Sequence, residues 1–268
     1  MTDHTMTVAD RLAEEEIRIH LRDPNEEQRA EDDFFRTSAD ENASADLYRS
    51  LFYAGRALAL YTFDHMVARF GLTFEGSVLE LGGGYGYLSA YLKKKRPELR
   101  VVYSDVSIEA VRKSRQYEDF FGTRLDEKWV TGAEDTPFPD ASFDRVLFFA
   151  SFHHTQDPAA AVREVARILK PGGQVYMLFE PSCPGYLKPL YDFHVRRETV
   201  KEQYYSVGEY RRFFTEAGLT FRRHNYRSYL YRHSERSSLY YAFLSMLPGF
   251  AANAFPCSQV LIGGRAAA

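Results

Sequence analysis

The stretch VLELGGGYGYLSAYL, residues 78–92, decides the fold class of this 268-residue chain. It begins with a short apolar run, passes through a glycine-rich turn and continues with the spacing of a helix. Glycines permit a tight reversal and let the backbone approach a ligand without a Cβ in the way. A strand, a glycine turn and a helix in this order are typical of the ligand-binding unit of an open α/β sheet.

The segments around this unit continue to alternate between strand and helix patterns. Strands are predicted at 77–81, 100–104, 128–131, 143–150, 174–179, 219–231 and 258–263. Helices are predicted at 45–71, 88–95, 108–120, 159–169 and 207–217. Because strands alternate with helices at this spacing, we expect a doubly wound, mostly parallel α/β sheet of seven strands.

Two kinds of segment lie outside this alternation. Residues 1–71 begin with a polar, acidic stretch, and we expect them to form an N-terminal helical arm or lid. Residues 72–268 are predicted to form one domain with cap insertions at about 181–205 and 231–256, both rich in aromatic residues. Long connections in compact domains are often functional, so an acceptor pocket is one interpretation of these insertions. A core extension or a homodimer contact is the alternative.

The composition excludes several function classes. Lys and Arg total 34 against 37 Asp and Glu, a net charge of −3, whereas nucleic-acid-binding domains are usually strongly basic. Cys183 and Cys257 have neither disulfide-scaffold density nor metal-ligand spacing. The charged N-terminus lacks a signal-peptide core, and prolines interrupt the uncharged stretch 237–264. We therefore expect a cytoplasmic protein without a membrane span.

The glycine turn alone does not distinguish a nicotinamide site from other nucleotide sites. The dinucleotide motif needs a small residue where the helix packs on the strand, and counting from Gly82 places Tyr87 there. Counting from the next glycine pair places Ser89 there, which fits better. The spacing that the residues match is E-x-G-x-G-x-G, at Glu80, Gly82, Gly84 and Gly86. An acidic residue at its head suits a cationic cofactor better than a pyrophosphate.

Residues 77–180 resemble the class I S-adenosylmethionine-dependent methyltransferases, especially those of the ubiquinone/menaquinone-biosynthesis type. The motifs that carry the resemblance are VLELGGGYG (78–86), VVYSDVS (101–107), TGAEDTPFPDASFDRV (131–146) and FFASFHHTQDPAAAVREVARILKPGG (148–173). The resemblance implies a Rossmann-like methyltransferase fold, S-adenosyl-L-methionine as cofactor and methyl transfer as the activity. It also implies that the backbone of the glycine turn lies against the methionine part of the cofactor.

Asp105 is the strongest single candidate for a cofactor contact. It lies 23 residues after Gly82, about the spacing at which a carboxylate accepts hydrogen bonds from a ribose, and the resemblance implies the same role. Its alternative is an N-cap for the following helix, which Ser107 could provide instead. The other cofactor contacts that we expect are Val106, Ala133, Glu134 and Ala150. The family usually has an Asp before Ala133 for the adenine amino group; here that residue is Gly132, and Glu134 or the backbone of Ala133 would replace it.

Three histidines are candidate general bases: His153, His154 and His194. A neutral imidazole can accept a proton from a substrate near pH 7. Packing or loop geometry is the alternative role, and methyl transfer from a sulfonium can proceed by alignment without a base. The candidate walls of the acceptor pocket are Tyr85 and Tyr87 beside the glycine turn, and Tyr186 and Tyr191 in the first insertion. The expected acceptor is a small aromatic or apolar molecule.

Two other functions compete with this interpretation. Residues 221–236 interleave arginines with aromatic residues, which can indicate RNA or an anionic substrate, or an edge strand with one charged face. A nicotinamide-dependent oxidoreductase shares the architecture, but Tyr87 and the later motifs disfavour it. Whether oxygen, nitrogen or carbon accepts the methyl group stays open, although Ala150 to His153 lacks the N-P-P-Y-like pattern of enzymes that methylate amino groups of bases or glutamine.

Overall fold

The computed structural model describes residues 16–21, 23–37, 55–195, 203–227 and 235–267, with the backbone alone at 192–195 and 235–238. The remaining parts of the predicted arm and insertions lie outside the described residues. The strands are β1 (Ile17–Ile19), β2 (Ser77–Glu80), β3 (Arg100–Asp105), β4 (Glu127–Val130), β5 (Phe143–Phe149), β6 (Leu169–Ser182), β7 (Arg222–Tyr226) and β8 (Cys257–Gly264). The helices are α1 (Glu26–Thr37), α2 (Arg56–Phe70), α3 (Tyr87–Lys95), α4 (Ile108–Phe121), α5 (Pro158–Ile168), α6 (Lys188–Val195), α7 (Val207–Glu216), α8 (Glu235–Met246) and α9 (Gly249–Ala252).

The strands form one sheet in the order β1-β4-β3-β2-β5-β6-β8-β7. The first six strands in this order are parallel, and β8 is antiparallel to both of its neighbours. The predicted α/β class and doubly wound, mostly parallel sheet are therefore confirmed. The strand order reverses at β2, between β3 and β5, which is where open α/β sheets bind their ligands.

The predicted number of strands is wrong: the described residues contain eight, not seven. The additional strand is β1, which lies in the N-terminal arm and pairs with β4 at the edge of the sheet. It has three residues, with Arg18 between two isoleucines, so it carries almost no periodic signal. Burial of Ile17 against the core holds it in place.

Helices cover both faces of the sheet, because successive strand residues point to opposite sides. Val78 belongs to one hydrophobic cluster together with Phe63 of α2. Leu79, the next residue, belongs to a second cluster together with Val162 of α5. Burial on both faces explains the nearly continuous apolar sequence of β5.

Local sequence signals determine where several helices begin and end. The Ser107 side chain accepts a hydrogen bond from the Ala110 N–H at 3.1 Å, so Ser107 is the N-cap of α4. Gly71 ends α2 in the left-handed conformation, with a φ of 62°, as the sequence predicts. The cap on α4 matters for the site, because it leaves the neighbouring Asp105 carboxylate for another role.

The two insertions contact each other beside the start of β8. The Tyr186 hydroxyl of the first insertion donates to the Ala254 carbonyl of the second at 2.5 Å. Within the second insertion, the Tyr240 hydroxyl donates to the Pro256 carbonyl at 2.6 Å. Within the described ranges, no helix combines the length and the apolar character that crossing a bilayer requires.

Candidate functional site

A cavity of about 470 Å³ opens at the carboxyl ends of β2, β3, β4 and β5. Its volume is within the range of small-molecule sites, roughly 300–1,000 Å³. The glycine turn, the ends of the four strands, the 3-10 turn Phe152–His154, helix α1 and the start of α2 form its wall. The predicted site residues that line it are Gly82, Gly84, Tyr85, Tyr87, Asp105, Val106, Ala133, Glu134, Ala150 and His154.

The glycine turn adopts a backbone that other residues rarely adopt. Gly82, Gly84 and Gly86 have φ angles of 65°, 55° and 69°, all in the left-handed region. The N–H of Gly84 donates to Oδ2 of Asp105 at 2.8 Å, and the Tyr103 hydroxyl donates to the Gly84 carbonyl. The turn is therefore fastened to the end of β3, and it presents its backbone to the cavity.

Glu80 lies behind the turn and not in the cavity wall. Its Oε2 accepts a hydrogen bond from the Ser89 hydroxyl, which connects the end of β2 to α3. A Cβ on Gly83 would lie 2.9 Å from the Glu80 carboxyl carbon, so the carboxyl group fills the space under the turn. Burial raises the pKa of Glu80 to about 7.

Asp105 lines the cavity, although only 5% of its surface is exposed. Its Oδ1 accepts from the Ser107 N–H at 2.9 Å, and its Oδ2 accepts from the Gly84 N–H. Burial raises the pKa of Asp105 to about 6, although these backbone bonds oppose the shift. The carboxylate is thus oriented by the backbone at the junction of the turn and β3.

Glu134 lies beside Gly132, the position at which the resemblance leads us to expect an acidic residue. A Cβ on Gly132 would lie 3.0 Å from Oε2 of Glu134, so this carboxylate lies where a side chain at 132 would begin. Its Oε1 accepts from the N–H groups of Gln156 at 2.8 Å and Asp157 at 3.4 Å. Glu134 is therefore held in the cavity wall.

The histidine pair occupies two different environments. His153 is buried, and its Nδ1 lies 2.9 Å from Oε2 of Glu180. His154 lines the cavity, and its Nδ1 lies 3.7 Å from Oε1 of Glu31 on α1. His194 belongs to α6, and its side chain lies outside the described residues. Of the three candidate bases, the structure brings His154 to the cavity.

Two of the four predicted tyrosines line the cavity, and two do not. Tyr85 and Tyr87 line the cavity, and Tyr85 packs edge-on against Phe35 at 4.7 Å between ring centroids. Tyr186 is 68% exposed, and Tyr191 packs against Tyr204 at 4.5 Å. Neither Tyr186 nor Tyr191 is among the lining residues of this cavity.

Helix α1 closes the cavity from the outside and is anchored at both ends. Near its start, the side chains of Asn25 and Gln156 exchange two hydrogen bonds, at 2.5 and 2.9 Å. At its other end, the Phe35 carbonyl accepts from Nζ of Lys113 at 2.5 Å. Between them, Oδ1 of Asp32 accepts from the Ser107 hydroxyl at 2.6 Å.

Residues 1–71 are expected to form an arm or lid, but the individual residues that α1 and α2 contribute to the cavity are the part of the site that the sequence analysis does not identify. The lining residues concerned are Glu27, Gln28, Glu31, Phe34, Phe35 and Arg56. Adjacent phenylalanines in an otherwise charged segment are the one local signal that could have pointed to a buried contact. The lining residues include four acidic side chains, Glu27, Glu31, Asp105 and Glu134, so this wall favours a cationic ligand.

Comparisons with known proteins agree with the geometry. Residues 79–177 match the family described as "Methyltransferase domain". The ubiquinone/menaquinone biosynthesis C-methyltransferase UbiE of Stenotrophomonas maltophilia is 38% identical over 120 residues, 44% of this chain and 47% of that protein. UbiE of Xanthomonas campestris is 37% identical over the same share. The chain spans about half the length of the curated relatives that it matches.

Solved structures show the same fold at low sequence identity. The YcgJ protein from Bacillus subtilis has a TM-score of 0.57 and 22% identity, covering 78% of this chain and 99% of its own. The geranyl diphosphate C-methyltransferase from Streptomyces coelicolor, solved with Mg²⁺, geranyl diphosphate and S-adenosyl-L-homocysteine, has a TM-score of 0.62 and 16% identity, covering 91% and 99%. Across the glycine turn and the central strands, this chain is therefore similar to the methyltransferase domain family and to the ubiquinone/menaquinone biosynthesis C-methyltransferases.

Proposed function

We propose that this chain transfers a methyl group from S-adenosyl-L-methionine to a small aromatic or apolar acceptor bound in the cavity at the glycine turn. The observation that carries the proposal is the position of Asp105. Its carboxylate is fixed by the Gly84 and Ser107 N–H groups at the switch point of the sheet, inside a cavity with an acidic wall.

The residues present suit this cofactor. We propose that Asp105 accepts hydrogen bonds from the ribose hydroxyls and that the backbone of Gly82 to Gly84 lies along the methionine part. Glu134 and the backbone of Ala133 would hold the adenine amino group. Val106 and Ala150 would supply apolar contacts. Glu80 and Gly86 would act indirectly, by shaping the turn.

S-adenosylmethionine supplies a methyl group made electrophilic by its bond to a positively charged sulfur. The acidic side chains of the wall lower the energy of a positive charge in the cavity. Helix α1 and the glycine turn limit the access of water and hold an acceptor close to the cofactor. Proximity and alignment of this kind can account for several kcal/mol of a barrier, about 7–11 kcal/mol at the upper end.

Among the candidate bases, the geometry favours His154. Its ring lies in the cavity wall and its Nδ1 faces Glu31, which would stabilise the ring after it accepts a proton from the acceptor. We propose that His153 has a positioning role through Glu180. His194 stays a prediction, because its side chain lies outside the described residues.

The acceptor would lie against Tyr85 and Tyr87, next to Phe35. A cavity of about 470 Å³ under a helix admits a small molecule and excludes folded RNA or protein. The curated relatives are named C-methyltransferases, which supports carbon as the accepting atom. A role for Tyr186 and Tyr191 at the acceptor stays a prediction without support from the cavity lining.

Within residues 221–227, the described part of the basic segment, two of the three arginines bond to the protein itself, which does not favour an RNA substrate. Arg223 donates to the side-chain oxygens of Asn225 at 2.8 Å and Asn253 at 3.0 Å. Arg227 donates to the carbonyls of Leu244 and Leu247. These bonds connect β7 and the residue that follows it to the second insertion.

Calorimetric titration with S-adenosylhomocysteine and, separately, with NADH tests the proposal. We expect binding of S-adenosylhomocysteine and none of NADH. Binding of NADH without any signal from S-adenosylhomocysteine would reject the methyltransferase interpretation. A screen of small-molecule extracts with methyl-labelled cofactor then identifies the acceptor, and mass spectrometry of the labelled product identifies the methylated atom.

A further inference from the structure

The second insertion carries a row of large apolar side chains on its surface. On α8, Leu239 is 73% exposed, Met246 is 83% exposed, and Phe243 between them is also exposed. Their spacing of four and three residues places them on one face of the helix. Phe250, on the short helix α9 that follows, is 80% exposed. We call these four side chains the apolar stripe.

The other side of α8 packs on the protein. Leu244 is buried, and the Tyr241 hydroxyl lies 3.2 Å from the hydroxyl oxygen of Ser258 on β8. A helix with apolar residues on every side normally lies inside a core. In the described part of the chain, α8 is covered on one side, so its other side needs a partner that removes apolar surface from water.

The first insertion adds apolar surface to the same region. Tyr186 and Leu190 are both exposed, and the bond from Tyr186 to Ala254 connects this insertion to the end of α9. Of the nine large apolar side chains that are exposed in the described ranges, six belong to the two insertions. Single exposed apolar residues are ordinary, whereas such a concentration marks an interaction surface.

The charge of the surrounding segment indicates the kind of partner. Residues 181–256 contain eleven Lys and Arg against six Asp and Glu, a net charge of +5, although the whole chain has −3. Residues 237–264 contain no charged side chain, so the cations flank the apolar stripe. Arg223 donates to the Asn253 side chain, and Arg227 donates to backbone carbonyls at the end of α8. These bonds place two of the cations beside the stripe.

An uncharged apolar face bordered by arginines and tyrosines matches the surface of an anionic lipid bilayer. Apolar side chains enter the boundary of the acyl chains, tyrosines suit the headgroup level, and arginines bind lipid phosphates. A second copy fits less well, because a symmetric contact through this face would bring two basic segments together. We propose that the apolar stripe docks this chain on an anionic membrane surface, with α8 lying in the interface. The inference goes beyond the proposed methyl transfer and does not depend on it.

Cosedimentation of the full chain with lipid vesicles tests the inference. One set of vesicles is phosphatidylcholine alone, and the other contains about one third phosphatidylglycerol. We expect binding to the anionic vesicles to be at least about tenfold tighter than to the neutral ones, and to weaken as salt is added. The triple variant Leu239→Ser, Met246→Ser and Phe250→Ser should bind the anionic vesicles at least about tenfold more weakly, because three apolar side chains no longer leave water. Phe243 is retained, since its ring packs against Phe255.

Tyr61→Ser is the matched control, because it removes an exposed aromatic ring from α2 and should leave vesicle binding unchanged. The unfolding midpoint and the affinity for S-adenosylhomocysteine should stay close to wild type in the triple variant, since all three substituted side chains are exposed. If the triple variant does not fold, Met246→Ser alone decides, with an expected weakening of about 3- to 10-fold.

Three results of the vesicle experiment would overturn the inference: no binding to anionic vesicles, equal binding to both kinds of vesicle, or a triple variant that binds like wild type. Light scattering tests the second copy as the partner. We expect the wild type and the triple variant to have the same mass in solution. A dimer that the triple variant abolishes would assign the apolar stripe to a contact between copies and would also overturn the inference.

Discussion

Glu180 and His153 form a buried pair that determines the shape of the turn after β5. Oε2 of Glu180 lies 2.9 Å from Nδ1 of His153 and accepts from the His153 N–H at 3.2 Å. Oε1 accepts from the N–H groups of Ser151 and Phe152, both at 3.0 Å. One carboxylate at the end of β6 thus holds three successive N–H groups, and the next residue, His154, faces the cavity.

Removal of the Glu180 carboxylate should destabilise the fold. Glu180→Ala leaves three N–H groups and a buried imidazole without this acceptor, so we expect a loss of about 3–5 kcal/mol in the free energy of unfolding. Glu180→Gln keeps one acceptor oxygen and should lose less. Urea denaturation measures both, with the exposed Glu98→Gln as a control that should change by about 0.5 kcal/mol or less. A loss below 1 kcal/mol for Glu180→Ala would mean that the turn forms without it.

His154 should affect chemistry and leave stability unchanged. With the acceptor from the labelled-cofactor screen, we expect His154→Ala to lower kcat by about 10²–10³-fold, the effect of losing a general base. The affinity for S-adenosylhomocysteine and the unfolding midpoint should stay close to wild type. His224→Gln on β7 is the control for a histidine outside the cavity lining. A kcat within threefold of wild type would show that alignment alone drives the transfer.

The sheet could be predicted from the sequence because its signals are local. β2, β3 and β5 are short apolar runs with buried residues along their length, and each is followed by a turn and a helix. β1 could not be predicted, since Ile17 and Ile19 flank one arginine and pair with β4, which is more than 100 residues away in the sequence.

The residues of the candidate site also differ in whether a local sequence signal identifies them. Asp105 could be placed because its distance from the glycine turn in sequence reflects one βαβ unit. Arg56 and Phe35 could not, because they reach the cavity through the packing of α1 and α2 against distant parts of the chain. Composition alone assigns Tyr186 and Tyr191 to the pocket, whereas their contacts with Ala254 and Tyr204 depend on how the insertions fold.

The buried Glu80 should make stability depend on pH. Burial raises its folded-state pKa from 4.5 to about 7, so the folded state binds the proton more tightly than the unfolded state. The resulting stabilisation is complete below pH 4.5 and is lost as pH rises through 7. At 1.36 kcal/mol per pKa unit, this amounts to about 3 kcal/mol.

The test is the free energy of unfolding of wild type and Glu80→Gln between pH 5 and pH 8. Because glutamine does not titrate, the variant should lose about 2–3 kcal/mol less than wild type over this range. The exposed Glu75→Gln should retain the wild-type pH dependence. Parallel curves for wild type and Glu80→Gln would show that the Glu80 carboxyl does not titrate in this range.

Cofactor affinity should fall in acid through Asp105. Burial raises the pKa of this carboxyl to about 6, and hydrogen bonds from ribose hydroxyls require its ionised form. Below pH 6 the ligand must therefore displace a proton, so Kd for S-adenosylhomocysteine should be about tenfold higher at pH 5 than at pH 7. Asp105→Asn should bind about 1.5–3 kcal/mol more weakly at pH 7 and lose this pH dependence. Asp135 is an exposed carboxylate nearby, and Asp135→Asn should keep the pH dependence of Kd. If Kd still depends on pH in Asp105→Asn, the proton that competes with the ligand belongs to another group.

Helix α1 should respond to the cofactor, because it forms one side of the cavity without burying any of its own residues. Hydrogen exchange with and without S-adenosylhomocysteine should show slower exchange at 26–37 when the ligand is bound. Residues 188–191 of α6 should be unaffected, since none of them lines the cavity.

Gln156→Ala removes the side-chain pair with Asn25 and should raise the dissociation rate of S-adenosylhomocysteine by about 3- to 10-fold, the equivalent of about 1 kcal/mol. The control Arg36→Gln lies at the exposed end of α1, outside this cavity lining, and should leave the rate unchanged. Equal exchange at 26–37 in both states would show that α1 does not close on the cofactor. Slower exchange at α6 on ligand binding would instead indicate that the first insertion forms part of the site.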